Sequence, residues 1–175
     1  MTPTKRILRT TIAGALATAV LLPQAAASAS CLAPDEAAAE QVRRLQTTMM
    51  VGALQCRNNP ELRITQRYNE FIKRYGGVIT AHNRVLVRYF QRTQGGNYRS
   101  AMDRHVTSMA NTISRAGIND RNFCDDVARL VDASIEGEGR DLVEIARWSS
   151  LTQTEVPVCR SASTDTVQAG DAPVN

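Results

Sequence analysis

Two histidines are the residues best suited by type to proton transfer or metal binding. His82 precedes Asn83 and Arg84, and His105 follows an Asp-Arg pair. A helical metal site needs a second ligand three or four residues further on, and His82 has none there. We therefore predict that His82 is a hydrogen-bonded histidine inside the fold. His105 is predicted to be a partly exposed surface residue.

The acidic residues lack the order of a calcium-binding loop. Asp125 and Asp126 are adjacent, and a second cluster contains Glu136, Glu138 and Asp141. An EF-hand instead alternates its acids around a central glycine. The sequence also has no G-x-S-x-G element and no glycine-rich loop between a strand and a helix. We predict no metal, no cofactor and no catalytic residue.

The four cysteines are spaced for disulfides, because none of them forms a C-x-x-C pair that would suit zinc. Cys31 and Cys56 lie at opposite ends of a predicted helix, roughly 35 Å apart, so they cannot be partners. We favour a bond between Cys56 and Cys124. The second bond then joins Cys31 to Cys159. The alternative that stays open exchanges Cys124 and Cys159 between the two bonds.

Residues 1–29 have the order of a Sec signal peptide. Small residues at 25–29 suit a signal peptidase, and the apolar run at 11–22 is shorter than the roughly 20 residues that span a bilayer. The sequence thus predicts a periplasmic or secreted protein. Three cations precede the apolar run: Lys5, Arg6 and Arg9.

Cleavage is predicted near Ala27 or Ala29. Acylation of Cys31, as in a lipoprotein, is the alternative, although Ser28 stands where a lipobox usually has leucine. Removal of the signal lowers the formal net charge from +4 to +1, because the signal contains three basic residues and no acidic one. An exported chain of this charge is not expected to bind nucleic acid.

Residues 30–159 are predicted to form one all-α domain around a long central helix at about 60–92. Asn59 and Pro60 suit its start. Gly76 and Gly77 fall on its outward face, so we predict one continuous helix, with an αα-hairpin as the alternative. Its inward residues recur in alternating steps of four and three: Ile64, Tyr68, Phe71, Tyr75, Val78, His82, Val85 and Tyr89. This stripe is widened by Ile72, Ile79 and Leu86.

Four shorter helices complete a predicted disulfide-stapled bundle of about five. Gly52, on the inward face of the first helix, would allow a neighbouring helix to come close, and Gly117 is predicted to cap the third. No alternating strand pattern is present, and residues 160–175 are predicted to be disordered. The shorter helices are expected at about 34–56, 98–116, 120–135 and 140–151.

The outer surface of the long helix is basic. Residues 57–104 have seven more basic than acidic residues, and residues 120–147 have four more acidic than basic ones. The two regions either attract each other inside the bundle, or the basic face is displayed to an acidic envelope protein, an acidic glycan or an anionic lipid. The predicted partner-binding face comprises Arg63, Arg67, Lys73, Arg74, Arg84 and Arg88.

These features favour a non-catalytic exported binding or accessory protein that contacts an envelope partner through the basic long helix. One alternative is a small-ligand or lipid carrier with a cavity lined by methionines and tyrosines. The other is an envelope enzyme centred on His82. No membrane-spanning segment is expected in the mature chain, and the oligomeric state stays open.

Overall fold

The longest helix, α2, runs from Ile64 to Gln94 without a break. A computed structural model describes residues 31–137, 142–153 and 156–159. Neither Gly76 nor Gly77 has a positive φ, and no atom lies within 4 Å of the position that a Cβ would occupy at either residue. The predicted continuous helix with outward-facing glycines is therefore confirmed.

Both ends of α2 are set by residues with positive φ. Pro60–Leu62 forms a single 3-10 turn, and α2 begins only after Arg63, whose φ is 50°. The helix thus starts a few residues later than the Asn-Pro pair predicted. It ends at Gly95, where φ is 52°, a value that favours glycine. A further 3-10 turn at Gly95–Asn97 then leads into the next helix.

The other helices confirm an all-α bundle. The described residues contain no strand, and their one isolated parallel bridge joins Leu32 to Val158. None of these helices is long and apolar enough to cross a lipid bilayer. The shorter helices are α1 (Pro34–Gln55), α3 (Tyr98–Asn119), α4 (Phe123–Glu136) and α5 (Leu142–Trp148), followed by a 3-10 turn at Ser150–Thr152.

The helix in the middle of the bundle is α1, which packs against all four others. Pro34 occupies its first turn, and the backbone N–H of Ala33 donates a hydrogen bond of 2.8 Å to Glu36. Because α1 is surrounded, it buries polar as well as apolar side chains. The largest apolar side chains of the core include Leu45, Met49, Phe71, Leu86, Val127 and Val131.

Both favoured disulfides are present. Cys56 at the end of α1 is bonded to Cys124 on α4, and Cys31 is bonded to Cys159. Beside the first bond, a Cβ on Gly52 would overlap the side chain of Val127. Gly52 therefore permits the close approach of α1 and α4 that the sequence suggests.

The buried stripe of α2 shifts within the predicted one beyond the glycine pair. Up to Tyr75 the two agree. Beyond it, Ile79 and Leu86, which widen the predicted stripe, are buried together with Phe90, whereas Val78 is 42 % exposed. An α-helix has 3.6 residues per turn, so a strict seven-residue pattern drifts about 20° per heptad around its axis. Over two heptads the drift of about 40° turns Val78 away from the core, and Ile79 is buried beside it.

The junction between α3 and α4 also departs from prediction. Gly117 does not cap α3, which continues to Asn119. A Cβ on Gly117 would lie 2.8 Å from ring atoms of Phe123, so this glycine allows close packing instead. The Asn122 N–H donates to Asp120 Oδ1 at 2.9 Å, forming a turn, and α4 therefore starts three residues late, at Phe123.

The fifth helix is shorter than predicted, because it ends at Trp148 and a separate 3-10 turn follows. The predicted start at about residue 140 lies outside the described residues, and the described part of the helix begins at Leu142. The proposed signal peptide, the predicted disordered tail, Glu138 and Asp141 lie outside the described residues.

Candidate functional site

Two of the six predicted basic residues bind α4 within the molecule. Arg67 forms an ion pair with Asp132. Arg74 donates a hydrogen bond of 2.6 Å to the backbone oxygen of Ile135, near the end of α4, and its guanidinium lies 5.6 Å from the ring centre of Tyr75. The attraction between the basic and acidic helices thus uses part of the predicted face.

Three other residues, Lys73, Arg84 and Arg88, form what we call the cationic row. They lie on one outward face of α2, and each side chain is exposed. None makes an ion pair or hydrogen bond with another described residue. Arg63 is also exposed, but it lies at the left-handed start of α2, away from the row. The cationic row is therefore the part of the predicted face that can meet a partner.

Apart from Glu70, three residues before Lys73, the cationic row has no acidic neighbour along α2, and Glu70 forms no ion pair with it. Residues 72–102 contain six cations and not one carboxylate. One of these cations, Arg92, is engaged with both oxygens of Glu36 at 2.8 and 2.7 Å. Between the ends of the row lie Gly77 and Ala81, both exposed and small. A flat surface can therefore approach this side of the helix closely.

His105 is partly exposed, as predicted, with a side-chain exposure of 27 %, but the hydrogen bond predicted for His82 is found at His105 instead. His82 is half-buried on α2 and makes no hydrogen bond with another described residue. His105 on α3 lies with Nε2 at 2.9 and 3.0 Å from the two carboxylate oxygens of Glu40. The side chain of Glu40 is only 3 % exposed. His105 is therefore the partner of a buried acid and not a simple surface residue.

A row of buried polar residues on α1 was not predicted from the sequence. Glu36, Glu40, Arg44 and Thr48 recur every four residues and are all buried. Such spacing places them on one side of the helix. Charged residues are rarely buried without partners, so these residue types suggested the outer surface of the helix. Their regular four-residue spacing is the feature of the sequence that could have indicated a buried row.

The hydrogen-bond acceptors of the neighbouring Arg43 guanidinium are neutral amides. The guanidinium donates to Gln46 Oε1 at 3.2 Å and to Asn83 Oδ1 at 3.5 Å. Burial lowers the pKa of this arginine, and the carboxylate of Glu40 lies close enough to raise that pKa against the effect of burial. Burial also raises the pKa of the nearby Tyr68 hydroxyl. These residues join α1 to α2 through a polar layer beside the apolar core.

The described acidic residues that the sequence singled out have no shared partner. Asp126 forms an ion pair with Arg129 on the same helix, and Glu136 is exposed. Within the described part of the chain, no group of three His, Cys, Asp or Glu residues lies close enough to hold a metal ion.

Most of the described methionines and tyrosines do not line the two clefts beside Arg44, which lie between α1, α3 and the segment after α5. Met109 lines one of these clefts and, like Met49, also belongs to the core. Tyr68 and Tyr75 flank Phe71 in an aromatic group. Only one methionine and no tyrosine line these clefts. Comparison of the chain with protein-family models, curated proteins and solved structures found no match.

Proposed function

We propose that the protein is an exported, non-catalytic binding module that lies against an anionic lipid surface of the cell envelope through the cationic row. The observation that carries this proposal is the row itself: three exposed cations on one helical face, without a counter-ion among the described residues. The periplasm is the proposed location. Its support is the signal-like order of residues 1–29 and the two disulfides, which are typical of oxidising compartments.

The shape of the surface favours lipid over a protein or glycan partner. The row lies on the outward face of α2, and none of its members lines either cleft beside Arg44. Lys73 and Arg88 are about 22 Å apart along the helix axis. A lattice of anionic head groups can match any spacing of cations, whereas a peptide or sugar chain is usually held in a groove.

The expected affinity is modest. Each lysine or arginine near an anionic membrane contributes roughly 1 kcal/mol, so three of them give about a hundredfold enrichment at the surface. The apolar contribution is small, because Val78 is the one large exposed apolar residue on α2. Binding of this kind is reversible and weakens as salt screens the charges.

The test is co-sedimentation of the oxidised protein with vesicles of phosphatidylglycerol and phosphatidylcholine. We expect binding in about 0.02 M NaCl that falls steeply towards 0.2 M, and no binding to pure phosphatidylcholine. The variant K73Q/R84Q/R88Q should lose most of the binding. Its three substitutions replace exposed side chains, so its melting temperature should stay close to that of the wild type.

A matched control removes three exposed cations elsewhere. The variant R104Q/R115Q/R121Q has the same net charge as the first variant but leaves α2 intact. Equal loss of binding in both variants would show that total charge is responsible and would refute the cationic row. Absence of binding to the anionic vesicles at low salt would reject the lipid surface itself.

A further inference from the structure

The two clefts beside Arg44 share a wall formed by Arg44 and Thr112. The smaller, of about 140 Å³, also contacts Glu40 and His105. The larger, of about 280 Å³, has no acidic residue in its lining. It opens between α1, α3 and the residues that follow α5, on surfaces that the cationic row does not touch. Its other lining residues include Ile113, Ala116, Phe123, Ser150, Leu151 and Gln153.

Arg44 is a buried cation without a partner among the described residues. The residue is 9 % exposed, and its buried Nε makes no hydrogen bond. Its guanidinium forms no ion pair with a described carboxylate. A guanidinium has five N–H donors and stays charged at any ordinary pH. Such a group is costly to bury alone.

The nearby carboxylates are already engaged. Glu36 accepts from Arg92, and Glu40 is held by His105. Arg43 is bonded to neutral amides. Arg43 and Arg44 are thus both without an ion pair among the described residues. Arg43 donates two hydrogen bonds and lies in the field of Glu40, whereas Arg44 makes no hydrogen bond with a described residue.

We propose that the larger cleft binds a small organic carboxylate with an apolar body. Arg44 would bind the carboxylate, because a guanidinium and a carboxylate can form two parallel hydrogen bonds. Thr112 and Ser150 add hydroxyl groups to the lining of the same cleft. The smaller cleft is excluded for the head group, because Glu40 would repel it there.

The rest of the lining fits the apolar body of such a ligand. Ile113, Phe123 and Leu151 provide apolar surface, and Ala116 leaves space beside them. A largely apolar cleft with a few convergent polar groups is the usual form of a small-molecule site. This inference is independent of lipid binding by α2, because the two surfaces share no residue.

The test is a titration of the oxidised protein with hexanoate and with benzoate, followed by calorimetry and by NMR shifts of backbone amides. We expect saturable binding at millimolar concentration or below, with the largest shifts at the larger cleft. Hexanamide, which has the same body without the charge, should bind about tenfold more weakly or worse. Arg44→Gln should weaken hexanoate to a similar extent.

Three further variants keep the result interpretable if Arg44→Gln folds poorly. Ala116→Leu fills the larger cleft from an exposed helical position and should abolish binding, whereas Ala81→Leu on α2 should not. Arg43→Gln removes a neighbouring partly buried cation and should preserve hexanoate binding. Retention of binding in both Arg44→Gln and Ala116→Leu would overturn the proposal.

The chain itself supplies one competing carboxylate. Glu155 lies between two residues that line the clefts, although it is outside the described residues. If it is the partner of Arg44, neither hexanoate nor benzoate will bind, and Glu155→Gln will lower the melting temperature as much as Arg44→Gln does. That result would replace the ligand with an internal ion pair and end the proposal.

Discussion

Glu40 and His105 join α1 to α3 through a contact in which both carboxylate oxygens approach one ring nitrogen, at 2.9 and 3.0 Å. A carboxylate only accepts, so Nε2 of His105 must carry the hydrogen and donate it. Phe90 lies against the same imidazole, with ring centres 5.4 Å apart. One histidine thus meets a buried acid from one helix and an aromatic ring from another.

Replacement of His105 by alanine should destabilise the protein by about 2–3 kcal/mol, because the buried Glu40 carboxylate loses its described partner. Urea unfolding at pH 7 measures the effect. The matched control is His82→Ala, which removes a half-buried histidine without a described hydrogen bond. It should lower the free energy of unfolding by a smaller amount. The double variant E40Q/H105A should recover part of the loss, since a neutral amide is cheaper to bury. Equal costs for the two single variants would contradict this role.

Two glycine-to-alanine substitutions should change the free energy of unfolding in opposite directions. Gly77→Ala should raise the free energy of unfolding by about 0.5–1 kcal/mol, because its Cβ would meet open space on a continuous helix. Gly52→Ala should lower it by about 1–3 kcal/mol, because its Cβ would overlap Val127. Thermal unfolding of both variants distinguishes them. Addition of Val127→Ala should rescue Gly52→Ala; failure of that rescue would place the strain elsewhere.

The disulfides should differ in their reduction under native conditions. Cys31 and Cys159 are both partly exposed, whereas in the other bond Cys56 is 4 % exposed and only Cys124 is partly exposed. Attack by an external thiolate requires access to a sulfur, so mild reduction and alkylation should label the Cys31–Cys159 pair first. Peptide mass spectrometry of the alkylated protein shows which cysteines are labelled first. In denaturant the difference should disappear, and earlier labelling of Cys56 in the folded protein would refute the expectation.

Tyr68 should make stability fall in alkaline solution. Burial raises its pKa in the folded state above the ordinary value of 10.0. Its contribution is therefore complete below about pH 10 and is lost as pH rises through the folded pKa, because the unfolded chain ionises first. Tyr68→Phe should show a shallower loss of unfolding free energy above pH 10. Parallel curves for the two proteins would show that Tyr68 is not responsible.

The disulfide pairing was predictable because it depends on lengths that the sequence contains. A helix between Cys31 and Cys56 separates them by far more than a disulfide can span, and that single distance removes one connectivity. The continuity of α2 was predictable because its apolar pattern persists on both sides of Gly76 and Gly77. Neither conclusion required knowledge of how helices pack.

The buried polar row and the later half of the α2 stripe depend on packing. Arg44 is buried because α1 lies between all the other helices, and nothing local in the sequence reports that position. Ile79 replaces Val78 in the core because small angular drift accumulates along a helix. The cationic row itself was predicted, but its separation from Arg67 and Arg74 required the location of α4.

The bond between Cys31 and Cys159 closes the whole bundle into one covalent loop, and the hydrogen bonds of Leu32 to Pro157 and Cys159 lie directly beside it. A mechanical load applied to chain segments outside this bond would therefore pass through two sulfur atoms. The helices between them would carry almost none of it. In an atomic force experiment on tandem repeats, the oxidised protein should extend as a short, rigid link, and only the reduced protein should release the length of residues 31–159.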